Sequence, residues 1–348
     1  HARHESPAAR HALKRRGLPL ERWRRRTFLR LRLRVRRLRL RLRRRRALSL
    51  WPSWRRGSPP PAPRPGLHAY AWSRAGASAR LRLRGEPAGQ ALLMVNADRV
   101  VHLNPTAALI TWLLLEGRDA PAAAAELRRR FRIHRRQAEA DTREVADTLD
   151  ALAAPDGPCP VHDLGLDILP PFSQRPSAPY RMDLALTYRC NDACAHCYNA
   201  RPRDYPELDT GTWKTILDHL RGIGIPHVCF TGGEPTLRND LPELVAHAQG
   251  LGQVTGLLTN GRRLSDPRIV DALAAAGLDH VQVTLESSRE AVHDAMVGAS
   301  GAWRQTVDGI TRALGAGFYL MTNTTLLEAN APHLDETIDF LASLGVPT

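Results

Sequence analysis

Lysine is nearly missing from this chain of 348 residues, with two lysines against 48 arginines. Cysteine is scarce at five residues, aromatics make up 5%, and there is no long apolar run. Five cysteines in so long a chain, three of them within eight residues, argue against a disulfide framework. They point instead to metal ligation in a reducing compartment, with the cytoplasm as the expected address. The longest apolar run, residues 107–115 with Thr111 inside it, is too short to cross a bilayer, so no membrane partner is expected. Acidic residues are rare at the start: residues 1–65 hold 23 Lys+Arg and 2 Asp+Glu, whereas residues 66–348 hold 27 against 33, a net −6. The formal +15 of the whole chain therefore belongs to a tail. The mildly acidic remainder lacks the basic face that nucleic-acid binding by counterion release needs, so no nucleic acid is expected as a partner.

That tail, residues 1–65, alternates Arg and Leu over 22–46 and ends in a Pro-rich stretch at 59–65. A strand with an arginine ladder needs an anionic partner, so alone the segment is expected to be disordered. Two readings are open: binding to nucleic acid or anionic lipid through arginine, or a solvated tail that includes upstream sequence outside the mature protein. A start at His1 and the excess of Arg over Lys, typical of GC-rich coding, favour the second. Arg25-Arg26-Thr27-Phe28-Leu29-Arg30 imitates a twin-arginine export signal, but no apolar segment follows, and export is not expected.

The other 283 residues suffice for two domains of unequal size. Residues 91–104 read as a hairpin, with Leu92, Met94, Val101 and Leu103 alternating around Asn96-Ala97-Asp98. Asn104 and Pro105 then open a buried helix closed by Gly117, Asp119-Ala120-Pro121 opens a second, and Ala138, Val145, Leu149 and Leu152 mark a third. The stretch resembles the PqqD-like peptide-chaperone family of pyrroloquinoline quinone biosynthesis, on the run Asp98-Arg99-Val100-Val101-His102-Leu103-Asn104-Pro105-Thr106-Ala107 followed by three helices. The resemblance implies a small winged-helix-like α+β domain over 85–152 that recognises the leader of a ribosomally made precursor peptide by strand addition. A generic, DNA-binding winged helix is the competing reading. Against it, the third helix carries Glu139, Asp141, Glu144, Asp147 and Asp150 with only Arg143 to balance them.

A Pro-rich linker, 153–180, leads to a different rhythm over 181–348. Expected strands at 183–188, 227–231, 254–259, 280–285 and 319–325 alternate with amphipathic helices, which means a parallel sheet with helices outside it. Each strand ends in a polar or glycine-rich group, on the face where α/β barrels carry their chemistry. The first such group contains Cys190, Cys194 and Cys197 in C-x3-C-x2-C spacing. Three thiolates from one loop suit a [4Fe–4S] cluster with one iron left open, or a zinc ion completed by His196 or His219. The second group is Gly232-Gly233-Glu234-Pro235.

With these two motifs in these places, the segment resembles the radical S-adenosylmethionine superfamily, peptide maturases of the SPASM type among its relatives. The resemblance implies a partial (β/α)6 barrel and two cofactors, a [4Fe–4S] cluster on Cys190, Cys194 and Cys197 and S-adenosyl-L-methionine. Gly232 and Gly233 would admit the methionine moiety, the Glu234 carboxylate would accept from its ammonium, and Asn260, Thr284 and Glu286 would contact the ribose or the methionine carboxylate. His196 stands where the family often has an aromatic beside the adenine. An electron from a donor such as flavodoxin or ferredoxin would cleave the sulfonium to methionine and a 5′-deoxyadenosyl radical, which abstracts hydrogen from the substrate.

The implied activity is modification of a precursor peptide, with the leader-reading domain raising the peptide's effective concentration at the barrel. A radical enzyme acting on a small molecule or a tetrapyrrole side chain is an alternative, since Glu286-Ser287-Ser288 and His293 also suit those relatives. A non-catalytic peptide-binding or zinc-bearing scaffold is another. No catalytic residue is assigned. Cys229, inside a strand, reads as a small buried apolar residue, Cys159 as a lone linker thiol, and His219, His247, His280, His293 and His333 share no pattern. The end of the sequence, Leu344-Gly345-Val346-Pro347-Thr348, reads as the approach to a sixth strand, and relatives usually continue into a Cys-rich auxiliary-cluster domain.

Overall fold

Alternating arginine and leucine along residues 80–84 and the wholly apolar, fully buried run at 91–95 build the middle of the first sheet. The computed structural model describes residues 63–74, 77–96, 99–154, 176–199 and 205–347. The tail up to residue 62, most of the linker and Cys159 lie outside them. β1 (Gly66–Arg74), β2 (Ala77–Gly85), β3 (Ala91–Val95) and β4 (Arg99–Leu103) pair antiparallel in that order. The sheet therefore starts well before residue 85, where sequence reading opened the domain. Residues 80–84, Arg-Leu-Arg-Leu-Arg, form the middle of β2 because each arginine finds an acceptor outside its own hairpin.

On one face of this sheet Leu81, Leu83 and Leu93 pack against α1 (Pro105–Leu115), α2 (Ala120–Arg130) and α3 (Arg135–Ala153) in one core with Leu109, Ile110, Leu127 and Leu149. Asn104 and Asp119 cap the first two helices, accepting from Ala107 N and Ala122 N. On the opposite face Arg82 donates to Gly252 O and Gln253 O, and Arg84 to Ala178 O and Pro179 O. Arg80 pairs with Asp279, and Leu92 and Met94 bury against Val254. The arginine face thus seats the small sheet on the turns that lead into the strands of the second sheet. Both guanidiniums are buried, so these carbonyls and Glu86 beside Arg84 take the place of water around them.

The second sheet is parallel, in the order β5 (Arg181–Thr187), β6 (His227–Gly232), β7 (Val254–Thr259), β8 (His280–Thr284) and β9 (Tyr319–Asn323). Its helices are α4 (Thr210–Gly222), α5 (Leu241–Gly250), α6 (Pro267–Ala275), α7 (Glu290–Val297), α8 (Ala302–Gly315) and α9 (Leu334–Ser343). One continuous core joins strand residues Leu184, Val228, Phe230, Val281 and Val283 to Leu217, Leu244, Leu273 and Ile310 of the helices. Strands built this way leave their C-terminal ends and connecting loops on one edge, where the polar groups gather. Among the described residues no helix is long and apolar enough to cross a membrane.

Candidate functional site

The loop that follows β5 carries the three thiols, and its neighbours hold it on several sides. Ala193 N and Ala195 N donate to Val297 O and Met296 O at the end of α7. Arg262, just past β7, reaches Asn191 O and the Asp192 carboxylate, both at 2.6 Å, and Asn260 Nδ2 donates to Asn191 Oδ1 at 2.7 Å. Within the loop Cys197 N bonds Cys194 O, and Asp192 N approaches Cys190 Sγ at 3.5 Å. Cys190, Cys194 and Cys197 are part-buried and outside any disulfide. Burial first, then Asp192 and the other two sulfurs, pushes the Cys194 thiol up to about 11. A thiol that burial and neighbouring sulfurs keep protonated suits a cationic metal centre, which would neutralise the thiolates together.

Glycine is needed at the end of β6 because two strand exits cross there. Gly232 has φ +138°, and a Cβ on it would stand 2.1 Å from Thr187 O. One on Gly233 would stand 2.2 Å from Arg189 O. Gly233 N and Glu234 N donate to those same carbonyls at 2.7 and 2.8 Å, and Asn199 Nδ2 bonds Gly232 O. The Gly-Gly backbone thus lies directly on the chain entering the thiol loop.

Glu234 has protein partners at this edge as well. Its carboxylate is fully buried. Oε1 accepts from Thr236 N and from the hydroxyls of Thr236 and Thr259, and Oε2 accepts from Asn260 N at 2.8 Å. Burial pushes its pKa up while those four donors pull it down. A carboxylate so occupied ties the β6 exit to the β7 exit, and Oε2, with a single donor on it, keeps acceptor capacity besides.

Glu286 has a similar employment. Its Oε1 lies 2.9 Å from His196 Nε2 and its Oε2 accepts from Thr325 N, so one buried carboxylate links the loops after β5, β8 and β9. Its backbone is fixed as well, with Glu286 N donating to His293 Nδ1 and Asn330 Nδ2 donating to Glu286 O. His196 Nδ1, on the other side of the ring, is a buried polar atom without a partner. Asn260 sits against the thiol loop, and Thr284 closes β8 opposite Asn323. The structure therefore brings Cys190, Cys194, Cys197, Gly232, Gly233, Glu234, Asn260 and Glu286 to one edge of the sheet. Arg262, Asp192 and Asn199 belong with them and were missed by sequence reading. Their only sequence signal is adjacency to a motif. His219 and His247 lie on helices away from this edge, His333 lies 3.4 Å from Arg289 Nη1 beside the loop after β8, and Cys229 and His280 meet in a separate cluster.

A second feature belongs to the small sheet. β4 is one of its two outer strands, and beside it a groove of about 360 Å³ runs to α3. Val101, Leu103, Val145 and Leu149 give it an apolar floor, and Asp141 and Glu144 make its rim acidic.

Residues 184–341 match the Radical SAM superfamily model, and residues 89–152 match that of Coenzyme PQQ synthesis protein D (PqqD). The PqqA peptide cyclase of Methylocella silvestris is 36% identical over 162 residues, which cover 46% of this chain and 43% of that one. SuiB of Streptococcus suis, solved bound to its precursor peptide SuiA, superposes with a TM-score of 0.53 at 16% identity, covering 76% of this chain and 60% of SuiB. The same protein solved bound to S-adenosylmethionine gives 0.53 at 17%. At such identity the likeness to SuiB is one of fold, and the chain spans about half the length of the cyclase and SuiB.

Proposed function

We infer that this chain, which carries a radical SAM superfamily barrel behind a PqqD domain, is an enzyme that modifies a ribosomally made precursor peptide held by its leader. The observation that carries the reading is the union in one chain of a part-buried thiol triplet at the strand exits with an edge strand beside an apolar, acid-rimmed groove. The name of the related cyclase and the SuiB complex with its precursor support the substrate class.

Cys190, Cys194 and Cys197 are the residues that would hold a [4Fe–4S] cluster, and Gly232, Gly233, Asn260 and Thr284 those that would border S-adenosyl-L-methionine. Bound there, the pair supplies one-electron reductive cleavage of the sulfonium and abstraction of hydrogen from an unreactive C–H bond. The rest falls to the protein. Gly232 and Gly233 let the β6 exit lie directly on the backbone that enters the thiol loop. Arg262 and Asn260 fix the thiol loop, and Glu234 and Glu286 act as positioning residues that lock the exits of β5 to β9 into one rigid edge. The β4 edge offers backbone groups to an extended leader, the groove takes its apolar side chains, and Asp141 and Glu144 favour basic flanks. A small one-electron carrier such as flavodoxin or ferredoxin, in the cytoplasm, would supply the reducing electron.

The test is incubation of anaerobically reconstituted protein with S-adenosyl-L-methionine, a reductant and any short precursor peptide found encoded near it. A mass change in the peptide that disappears when its leader is removed supports the reading. An unchanged peptide, while a small-molecule substrate turns over, overturns it.

A further inference from the structure

At the opposite end of the same strands lies a second constellation. Cys229, Gly256 and His280 are register partners across β6, β7 and β8, so they form one row of the sheet. His227 stands two residues before Cys229 and shares its face, the one away from Val228 and Phe230 in the helix-side core. Gly256 makes the space between them: a Cβ there would lie 2.3 Å from His280 Cε1, 2.4 Å from His280 Nε2 and 2.5 Å from Cys229 Sγ. Across this gap His227 Nε2 and His280 Nε2 are 2.8 Å apart, and Cys229 Sγ is 3.3 Å from the first and 3.8 Å from the second. The two rings stand nearly perpendicular, at 79°. All three side chains are buried, at 9, 0 and 3% exposure.

We propose that His227, Cys229 and His280 bind one borderline-soft divalent cation, zinc being the type, with a fourth position left to water or another small donor. Zinc lies about 2.3 Å from sulfur and 2.0–2.1 Å from imidazole nitrogen, so tetrahedral donors stand about 3.3–3.6 Å apart. The 3.3 Å pair meets that range, while the nitrogens at 2.8 Å would part and the 3.8 Å pair would close by a few tenths of an ångström on binding, and two imidazoles with one thiolate are the donor set such ions select. A neutral imidazole keeps one ring lone pair to offer, and the two Nε2 atoms already face one another and Cys229 Sγ. Binding replaces the thiol proton: the S–H bond breaks, a sulfur–metal bond forms, one proton leaves to solvent, and nothing is oxidised or reduced. Arg181 and Arg82 face the cluster as cations, and Asp183 and Asp279 as the balancing acids.

The cluster lies about 10 Å along β6 from Gly232, at about 3.3 Å per residue, so it is distinct from the triplet and independent of the function proposed above. It sits where the small sheet docks: Arg82 grips the carbonyls of Gly252 and Gln253, just before Val254, the register partner of His227. A metal here would staple β6 to β8 across β7 beneath that contact.

The experiment uses the full chain with Cys159, Cys190, Cys194 and Cys197 all replaced by alanine, which leaves Cys229 as its one thiol. The probe is Co2+, followed by Zn2+ in competition, with circular dichroism to verify folding. The expected result is one Co2+ per chain with a thiolate-to-cobalt band in the near ultraviolet, displaced by one Zn2+. Adding Cys229→Ala should abolish the band, and adding His280→Gln should weaken binding by more than the 10–100-fold, roughly, that loss of a supporting residue costs. Zinc content of wild-type protein whose triplet is already loaded with iron provides a second readout if the four-alanine chain fails to fold. No thiolate band in the folded four-alanine chain, or no zinc beside the loaded triplet when that chain does not fold, overturns the proposal. It would reduce the cluster to two hydrogen-bonded neutral histidines beside a thiol.

Discussion

His196 and Glu286 are 90 positions apart, yet His196 Nε2 and Glu286 Oε1 stand 2.9 Å from each other. The other oxygen of that carboxylate accepts from Thr325 N, so a single buried side chain connects three strand exits. Glu286→Ala should strand a buried N–H and an imidazole, costing about 1–3 kcal/mol. Denaturant midpoints check this. Glu286→Gln, which keeps an acceptor but faces one donor with its own NH2, should fall between the two.

Glu234→Gln separates structure from ligand contact. All four hydrogen bonds to the carboxylate come from donors, so an amide NH2 must oppose at least one of them. We expect a loss of stability of about 1–3 kcal/mol with the iron content of reconstituted protein unchanged. Unchanged stability, together with weakened S-adenosyl-L-methionine binding in equilibrium dialysis, would return the carboxylate to a ligand role.

What the sequence revealed and what it hid divide along a physical line. Cys190, Cys194 and Cys197, or Gly232-Gly233-Glu234-Pro235, are legible because their chemistry is packed into a few consecutive residues. Strand ends were legible to within a few residues because apolar runs are bounded by Gly, Pro and Asn. By contrast, β2 was hidden: Arg80, Arg82 and Arg84 make sense only when Asp279 and the carbonyls of Gly252, Gln253 and Ala178 arrive from 94 to 199 positions away. The pairings of Arg262 with Asp192 and of His227 and Cys229 with His280 were hidden for the same reason, since sheet register creates them.

His293 gives a pH dependence with a definite sign. Burial, opposed by Asp294 and helped by Arg262, lowers its pKa to about 4, and its Nδ1 accepts from Glu286 N. The unfolded value is about 6.5. The unfolded chain therefore binds the proton first: the stabilisation is complete above about pH 6.5 and is lost as pH falls from there towards 4. His293→Phe should lower stability at neutral pH by about 1–3 kcal/mol and flatten the decline between pH 6.5 and 4. Urea midpoints at several pH values decide this.

The proposed capture of a leader by strand addition would make alternate positions of β4 unequal. Of neighbours such as Val100 and Val101, one amide faces β3 and the other faces outwards. Proline at the outward position should leave the small domain folded while abolishing leader binding, since the ring removes the donor. Calorimetric titration with the leader measures it, and duplex DNA at low salt serves as the control that should give no heat. Leader affinity untouched by proline at both positions would move the peptide elsewhere.

The most direct test of the proposed chemistry compares anaerobically reconstituted wild type with Cys194→Ala, counting iron and sulfide per chain and methionine released from S-adenosyl-L-methionine on reduction. The expected result is about four irons and measurable methionine for the wild type, and loss of both in Cys194→Ala, because two remaining thiolates cannot hold a cluster that needs three. Full iron and methionine release in Cys194→Ala would contradict the assignment of the triplet, as would a wild type that binds zinc at those thiols and never releases methionine.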